Sequence, residues 1–173
     1  MLLDGVDDYM KLENFDELGN QHNLSVTITF SFKQMKSTLS SIMVRSASSS
    51  GHNGFIMVAP NTTELELWAR NGSAWTTLHR TNIGLNNFVT ATITVDANSI
   101  VKTYINGVLA STSTFSNTVF TALQSFIIGA NGTYQLNANM AFASFIVHNK
   151  TLSSQEVKQI YNYEKRINRI GVI

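Results

Sequence analysis

Residues 25–33 read "SVTITFSFK" and decide the fold class of this chain. Apolar side chains occupy every second position, and hydroxyl side chains occupy the positions between them. The apolar set is Val26, Ile28, Phe30 and Phe32, and the hydroxyl set is Thr27, Thr29 and Ser31. A period of two residues is that of a β-strand with one face on a core. The stretch therefore predicts a half-buried antiparallel strand.

The same alternation recurs along the chain. It is clear in "FVTATITVD" (88–96) and in "ELELW" (64–68). Further strands are predicted at about 8–13, 40–46, 54–59, 75–80, 100–105, 108–114, 125–129 and 139–148. The stretches "DANS" (96–99) and "NG" (106–107) separate such runs and are typical of hairpin turns. Many short strands with regular turns predict an all-β, antiparallel two-sheet jelly-roll sandwich.

One helix is predicted near the end of the chain, in "LSSQEVKQIYNYEKR" (152–166). Ser153 and Glu156 have the spacing of a capping box, in which the hydroxyl accepts from one amide and the carboxylate accepts from another. Val157, Ile160 and Tyr161 then share one stripe, which ends at Glu164. We expect a short helix near 153–165 packed on the sandwich. Residues 1–164 are expected to form one domain, with a tail at 165–173.

Composition narrows the classes of function. The net charge is +1 and no basic stripe is visible, so a nucleic-acid partner is not expected. No window of about twenty apolar residues could cross a membrane. The chain has no cysteine, so disulfides are excluded. The opening residues 1–4 have no basic segment or apolar signal core, and we therefore expect no cleaved leader.

Three stretches together resemble the laminin-G-like, concanavalin A-like jelly-roll family. They are "LDGVDDYMKL" (3–12), "VKTYINGVLASTS" (101–113), and "FIIGANG" (126–132) followed by "MAFASFIVHNKTLSSQEVKQIYN" (140–162). The resemblance spans about residues 2 to 163 in the order of the family. It implies two facing antiparallel sheets, one of them curved, with one short closing helix. It also implies a binding or structural module rather than an enzyme, because members bind glycans or proteins or build cell and virus surfaces.

The opening stretch carries three aspartates, Asp4, Asp7 and Asp8. A calcium ion needs six to eight oxygen ligands, and these carboxylates would supply part of that set. The resemblance implies a further acidic ligand on the late strand, where this chain has Ala143 and Ser144. The favoured interpretation is therefore a turn at Asp4 and Gly5, with the other two carboxylates solvated or capping amides. Calcium is the alternative, and no other cofactor is expected.

A pair of acids on one strand face raises the question of catalysis. Glu64 and Glu66 are predicted to lie roughly 6–7 Å apart along the strand. Glycosidases place two carboxylates across one bond, and related glucanases carry a third acid on the same strand face. That third acid would fall at Thr62 or Trp68. We therefore predict no catalytic residue, and we interpret the two glutamates as a solvated strand face.

The aromatic residues suggest a ligand surface instead. Sugars stack on exposed aromatic rings, while amides and hydroxyls bind their oxygens. Trp68 shares a predicted face with the two glutamates, and strands that carry further aromatic rings could lie nearby. The predicted glycan-binding set is Trp68, Glu64, Glu66, Trp75 and Tyr104, with His79 nearby. The alternative is that Trp75 and Tyr104 pack in the core or against a loop.

The tail "EKRINRIGVI" (164–173) mixes basic and apolar residues. We expect it to dock on a partner through Arg166, Arg169, Ile170 and Val172, or to fold back on its own sandwich.

These observations predict a non-catalytic adhesion or assembly module. The leading interpretation is a virion structural protein, decorating a phage capsid or associated with a fibre, because virion proteins need no export signal. Its partners would be other virion or surface proteins, glycans, or a second copy of the chain. The alternative is a carbohydrate-binding module of a larger secreted or surface protein.

Overall fold

The computed structural model describes residues 1–12, 26–34, 40–46, 53–60, 63–71, 74–83, 87–114, 125–130 and 137–170. These ranges form twelve β-strands and one α-helix. The strands are β1 Leu2–Asp4, β2 Met10–Leu12, β3 Val26–Gln34, β4 Ser40–Ser46, β5 Asn53–Ala59, β6 Glu64–Asn71, β7 Ala74–Asn82, β8 Phe88–Val95, β9 Ile100–Ile105, β10 Val108–Thr114, β11 Ser125–Ile128 and β12 Asn139–His148. The helix is α1, Ser154–Ile170.

The strands form two six-stranded sheets, which we call the first and the second sheet. The first sheet has the order β1-β12-β3-β8-β9-β10, and the second has the order β2-β11-β4-β5-β6-β7. Every neighbouring pair is antiparallel. The predicted all-β, antiparallel two-sheet sandwich is confirmed.

The core lies between the sheets and is built from the alternating apolar positions. Ile28, Phe30 and Phe32 of β3 are buried there, together with residues of the second sheet such as Leu65 and Leu67. Phe30 and Phe32 stack with ring centroids 5.5 Å apart. Phe126 of the second sheet meets Phe145 of the first edge-on at 5.1 Å. Aromatic contacts of this kind add to the stabilisation that comes from the buried area.

The hydroxyl face of β3 and β8 differs from the expectation of a half-buried strand. Thr29, Ser31, Thr90 and Thr92 are all buried. Thr29 and Thr92 lie 3.0 Å apart through their Oγ1 atoms, and the Ser31 and Thr90 hydroxyl oxygens lie 2.9 Å apart. Because each hydroxyl has a partner, these strands can be buried on both faces without an unpaired polar group.

The opening segment contains two strands where the sequence predicted one. β1 pairs with β12 in the first sheet, and β2 pairs with β11 in the second. The turn between them uses Gly5 at φ +82°, a conformation that side chains disfavour. Three residues are too few to show an alternation, so β1 could not be recognised from its pattern. The opening segment therefore joins the two sheets.

Helix α1 begins as the capping box predicts. Glu156 N–H donates to Ser153 Oγ at 3.3 Å, and Ser153 N–H donates to Glu156 Oε2 at 2.7 Å. The helix ends at Ile170 rather than near 165, so the first residues of the predicted tail are helical. Basic residues in the last turns suit the negative end of a helix dipole, which favours this extension.

The helix packs on the outer face of the first sheet. Tyr104 of β9, Leu152 and Val157 form one buried cluster, with Ile160 packed against it. Glu164 is buried as well, and its Oε2 accepts a hydrogen bond from Ser144 Oγ of β12. The predicted stripe along the helix therefore meets the sheet with both apolar and polar contacts.

Candidate functional site

The outer face of β6 and β7 in the second sheet carries most of the residues that were predicted from the sequence to bind a glycan. Leu65, Leu67 and Ala69 of β6 belong to the core. Alternation then places Glu64, Glu66 and Trp68 on the opposite face, as predicted. We call this surface, with Trp75 and Arg80 of β7, the tryptophan face.

Glu66 departs from its predicted environment. The residue is 1% exposed, so the interpretation as a solvated strand face is wrong for Glu66. Its Oε2 accepts a hydrogen bond from the Trp68 indole N–H. Its Oε1 contacts the Arg80 guanidinium as an ion pair, without the alignment of a hydrogen bond. A buried carboxylate is tolerated because charged and polar partners replace the water it has lost.

A β-bulge brings Arg80 to this face. Asn71 pairs with Ala74 and Trp68 with Thr77, but Leu67 pairs with His79 and Glu66 with Arg80. A regular hairpin in the register of the first pairs would have placed His79 opposite Glu66. The extra residue between Thr77 and His79 shifts the register by one, so that a cation meets the carboxylate.

The two tryptophans lie side by side on this face. Their ring centroids are 6.4 Å apart and their planes meet at 50°. Trp75 is 39% exposed, whereas Trp68 is only partly exposed. Trp68 packs against a small apolar cluster on the same side of the sheet, Ile56, Val58, Ile127 and Ala130. Trp75 is therefore the more exposed ring, and Trp68 lies beside it, packed against the apolar cluster.

Of the other two members of the predicted glycan-binding set, Tyr104 lies in the first sheet and Glu64 lies at one end of the tryptophan face. Tyr104 lies in the first sheet, is 1% exposed and places its hydroxyl 3.1 Å from Ser154 Oγ. The structure corrects that assignment, because Tyr104 packs under α1 and cannot reach the tryptophan face. Glu64 is half-buried and pairs in register with Asn82 at the far end of the strand.

Sequence reasoning did not select Arg80. Its side chain is 59% exposed and is the cation nearest Glu66 among the described contacts. The signal that could have found it is the hairpin between β6 and β7, since Glu66 and Arg80 fall opposite each other if one bulge residue is allowed. A bulge leaves little trace in a single sequence.

The three aspartates form an exposed turn at the edge of the sandwich. Val6 N–H donates to Asp4 Oδ1 at 2.8 Å, and Asp4 N–H donates to Asp8 Oδ2 at 3.2 Å. These bonds are those of the predicted turn. The side chains of Asp4, Asp7 and Asp8 also bring one carboxylate oxygen each within 4.8 Å of the others. Three carboxylates are fewer than the ligands calcium requires, and calcium binding stays a prediction.

The residues predicted to dock a partner belong mostly to α1. Arg166 is exposed, with its guanidinium carbon 5.9 Å from the centre of the Tyr163 ring. Arg169 and Ile170 form the last turn of the helix. Val172 lies outside the described residues. The docking role of these four residues stays a prediction.

Among the described residues, no helix combines the length and the apolar character needed to cross a bilayer.

Comparisons with known proteins define the family. A model of the "Concanavalin A-like lectin/glucanases superfamily", of the laminin G type, matches residues 4–158. No curated protein sequence matches this chain.

Solved structures share the fold at low sequence identity. The binding domain of botulinum neurotoxin DC in complex with rat synaptotagmin II has a TM-score of 0.70 at 18% identity, covering 90% of this chain and 40% of that one. Domain 4 of AbnA, an extracellular arabinanase from Geobacillus stearothermophilus, in complex with arabinotriose, has a TM-score of 0.64 at 21% identity, with 80% and 66% covered. A heptameric SAP-like pentraxin from Limulus polyphemus has a TM-score of 0.63 at 14% identity, with 90% and 82% covered.

This chain spans about two fifths of the neurotoxin chain. At these identities the likeness concerns the fold alone.

Proposed function

Because this chain belongs to the concanavalin A-like lectin/glucanase superfamily, we propose that it is a non-catalytic binding module that takes a saccharide on the tryptophan face. The observation that carries the proposal is the pair of neighbouring indoles beside an exposed guanidinium. The Trp75 ring is exposed, and the Trp68 ring packs against an apolar cluster. An apolar platform with a few fixed polar groups is the usual composition of a ligand site.

Two further points support the proposal. The arabinanase domain of the same fold was solved with arabinotriose, so the fold accommodates a saccharide in that protein. Glu64 and Glu66 do not both face a substrate, because Glu66 is buried between Trp68 and Arg80 rather than open to a glycosidic bond. A glycosidase needs two carboxylates that both reach the substrate.

The test is a glycan-array screen of the purified chain, clustered on beads for avidity, with calcium and with chelator. We expect binding to neutral oligosaccharides that Trp75→Ala reduces about tenfold or more, since an aromatic contact contributes about 0.5–1.5 kcal/mol beyond the apolar area that it buries. Tyr163→Ala is the matched control, because it removes an aromatic ring of similar exposure from α1.

Each outcome of the screen has a distinct meaning. Binding by the parent that survives Trp75→Ala would move the site away from the tryptophan face. Binding that requires calcium would assign it to the aspartate turn at residues 4–8. The absence of binding to every glycan in both arms would contradict the proposal.

A second candidate function is assembly into a larger particle, which includes the role of a virion structural protein. The observation that favours it is the second half of α1, where Tyr163 is 53% exposed and Ile167 is 39% exposed. Apolar side chains on the surface of a helix suit contact with another protein. The two candidates use different surfaces, so variants of one surface leave the other intact.

A further inference from the structure

The carboxylate of Glu66 contacts two polar groups of the tryptophan face. One oxygen accepts from the Trp68 indole, and the other pairs with the Arg80 guanidinium. Both contacts come from one side chain that is almost inaccessible to solvent. The carboxylate therefore cannot itself be the group that a ligand touches, although it fixes two groups that can be.

We propose that Glu66 is a positioning and specificity-determining residue that holds the Trp68 ring and neutralises Arg80, so that the face selects uncharged saccharides over those bearing a carboxylate. This inference rests on the proposed function of the same face. It concerns the class of saccharide rather than whether a saccharide binds.

The orientation of Trp68 is fixed by the hydrogen bond of its indole N–H. An indole has a single N–H donor, and here that donor is used inside the protein. The ring is thus fixed edge-on to the carboxylate while its body packs on the cluster around Val58 and Ile127. A ring held in this way offers a ligand an apolar surface and no hydrogen-bond donor.

The charge of Arg80 is balanced within the tryptophan face. A guanidinium can bind a ligand carboxylate through two parallel hydrogen bonds, which is among the strongest contacts available to an acidic sugar. On the tryptophan face the Arg80 guanidinium already forms an ion pair with the Glu66 carboxylate. A carboxylated saccharide would therefore have to compete with Glu66 for the Arg80 guanidinium, which disfavours its binding.

The experiment compares Glu66→Gln with the parent on an array that carries neutral hexose oligosaccharides printed beside their uronic acid counterparts. Glutamine keeps an oxygen for the Trp68 indole but removes the negative charge. We expect the parent to prefer the neutral members. We expect Glu66→Gln to shift the ratio of uronate to neutral binding upward by about tenfold, the effect of one added charge-assisted hydrogen bond. The double variant Glu66→Gln, Arg80→Gln should lose that gain.

A readout without ligand keeps the inference testable if binding is weak. The indole N–H resonance of Trp68, assigned with Trp68→Phe, should move in Glu66→Gln, since its acceptor changes from a carboxylate to an amide. Arg80→Gln keeps the acceptor and should move it less. An unchanged resonance in Glu66→Gln would show that the carboxylate does not hold the ring and would overturn the inference.

The binding results separate this inference from the proposed function. Binding by the parent with a preference for uronates, or an unchanged ratio in Glu66→Gln, would overturn the inference and leave saccharide binding in place. Binding to no saccharide by the parent would overturn both.

Discussion

Protonation of His79 is opposed by its surroundings in the fold. Its Nε2 is buried and has no hydrogen-bond partner among the described residues. Burial lowers the pKa of the imidazole below its ordinary value, because the charged form would lose its hydration. The neutral ring is therefore the form that the folded state accepts.

This environment predicts a loss of stability in mild acid. Above the ordinary histidine pKa both folded and unfolded chains hold a neutral ring, and His79 adds no pH dependence. As the pH falls below about 6.5 the unfolded chain takes up the proton first, which favours unfolding. We expect the free energy of unfolding to fall between about pH 7 and pH 5, and less steeply in His79→Gln. Urea titrations at several pH values measure it, and equal slopes in parent and variant would refute the expectation.

At the scale of elements, the β9–β10 hairpin and α1 constrain each other. Asn106 and Gly107 form the turn at φ +52° and +76°. A Cβ atom added at Gly107 would lie 3.0 Å from Cβ and from Cδ1 of Tyr161. The turn therefore needs glycine both for its backbone conformation and for the approach of the helix.

Gly107→Ala should consequently destabilise the chain by about 1–2 kcal/mol or more, the cost of a left-handed conformation with a side chain. Thermal unfolding measures the effect. Gly107→Asn separates the two causes, because asparagine tolerates a positive φ but still carries a Cβ. If Asn and Ala destabilise equally, contact with Tyr161 is the cause, and Tyr161→Ala should then relieve the part due to the ring while the contact with Cβ remains. No loss in Gly107→Ala would contradict the close approach.

The elements also show how far the sequence could be interpreted in advance. The alternation in β3, β6 and β8 predicted those strands because a period of two is a local property. The capping box at Ser153 predicted the start of α1 for the same reason. Such features need no knowledge of distant residues.

The errors come from contacts between distant residues. Tyr104 was assigned to a ligand surface because nothing near it in sequence shows that Leu152 and Val157 cover it. Glu66 was assigned to solvent because its partner Arg80 depends on a bulge in another strand. Sequence reasoning therefore placed Trp68 and Trp75 near each other but missed the contact between Glu66 and Arg80.

At the scale of the whole molecule, the sandwich presents separate surfaces for ligand and for partner. The tryptophan face lies on the second sheet, whereas α1 packs on the first. The two functions proposed above could therefore operate in the same molecule without competing for one surface.

The assembly candidate predicts self-association through α1. We expect a molar mass above that of one chain at high protein concentration, measured by size-exclusion chromatography with light scattering. Ile167→Lys should shift the population toward a single chain, since it places a charge in an apolar contact. Trp75→Lys is the matched control, because Trp75 has the same exposure as Ile167 but lies on the second sheet, away from α1. A parent that stays a single chain at every concentration would contradict self-association.

The strand order has a consequence for the timing of folding. β12, the last strand, lies between β1 and β3, and β11 lies between β2 and β4. Neither sheet can hold its opening strand until these late segments have left the ribosome. During synthesis one edge of β3 and one edge of β4 therefore stay unpaired until β12 and β11 are made, and each sheet is completed in a late step. A topology with such distant pairings folds slowly, on a scale of milliseconds to seconds for comparable all-β domains. The newly made chain is thus most exposed to aggregation just before residues 125–148, which include β11 and β12, emerge.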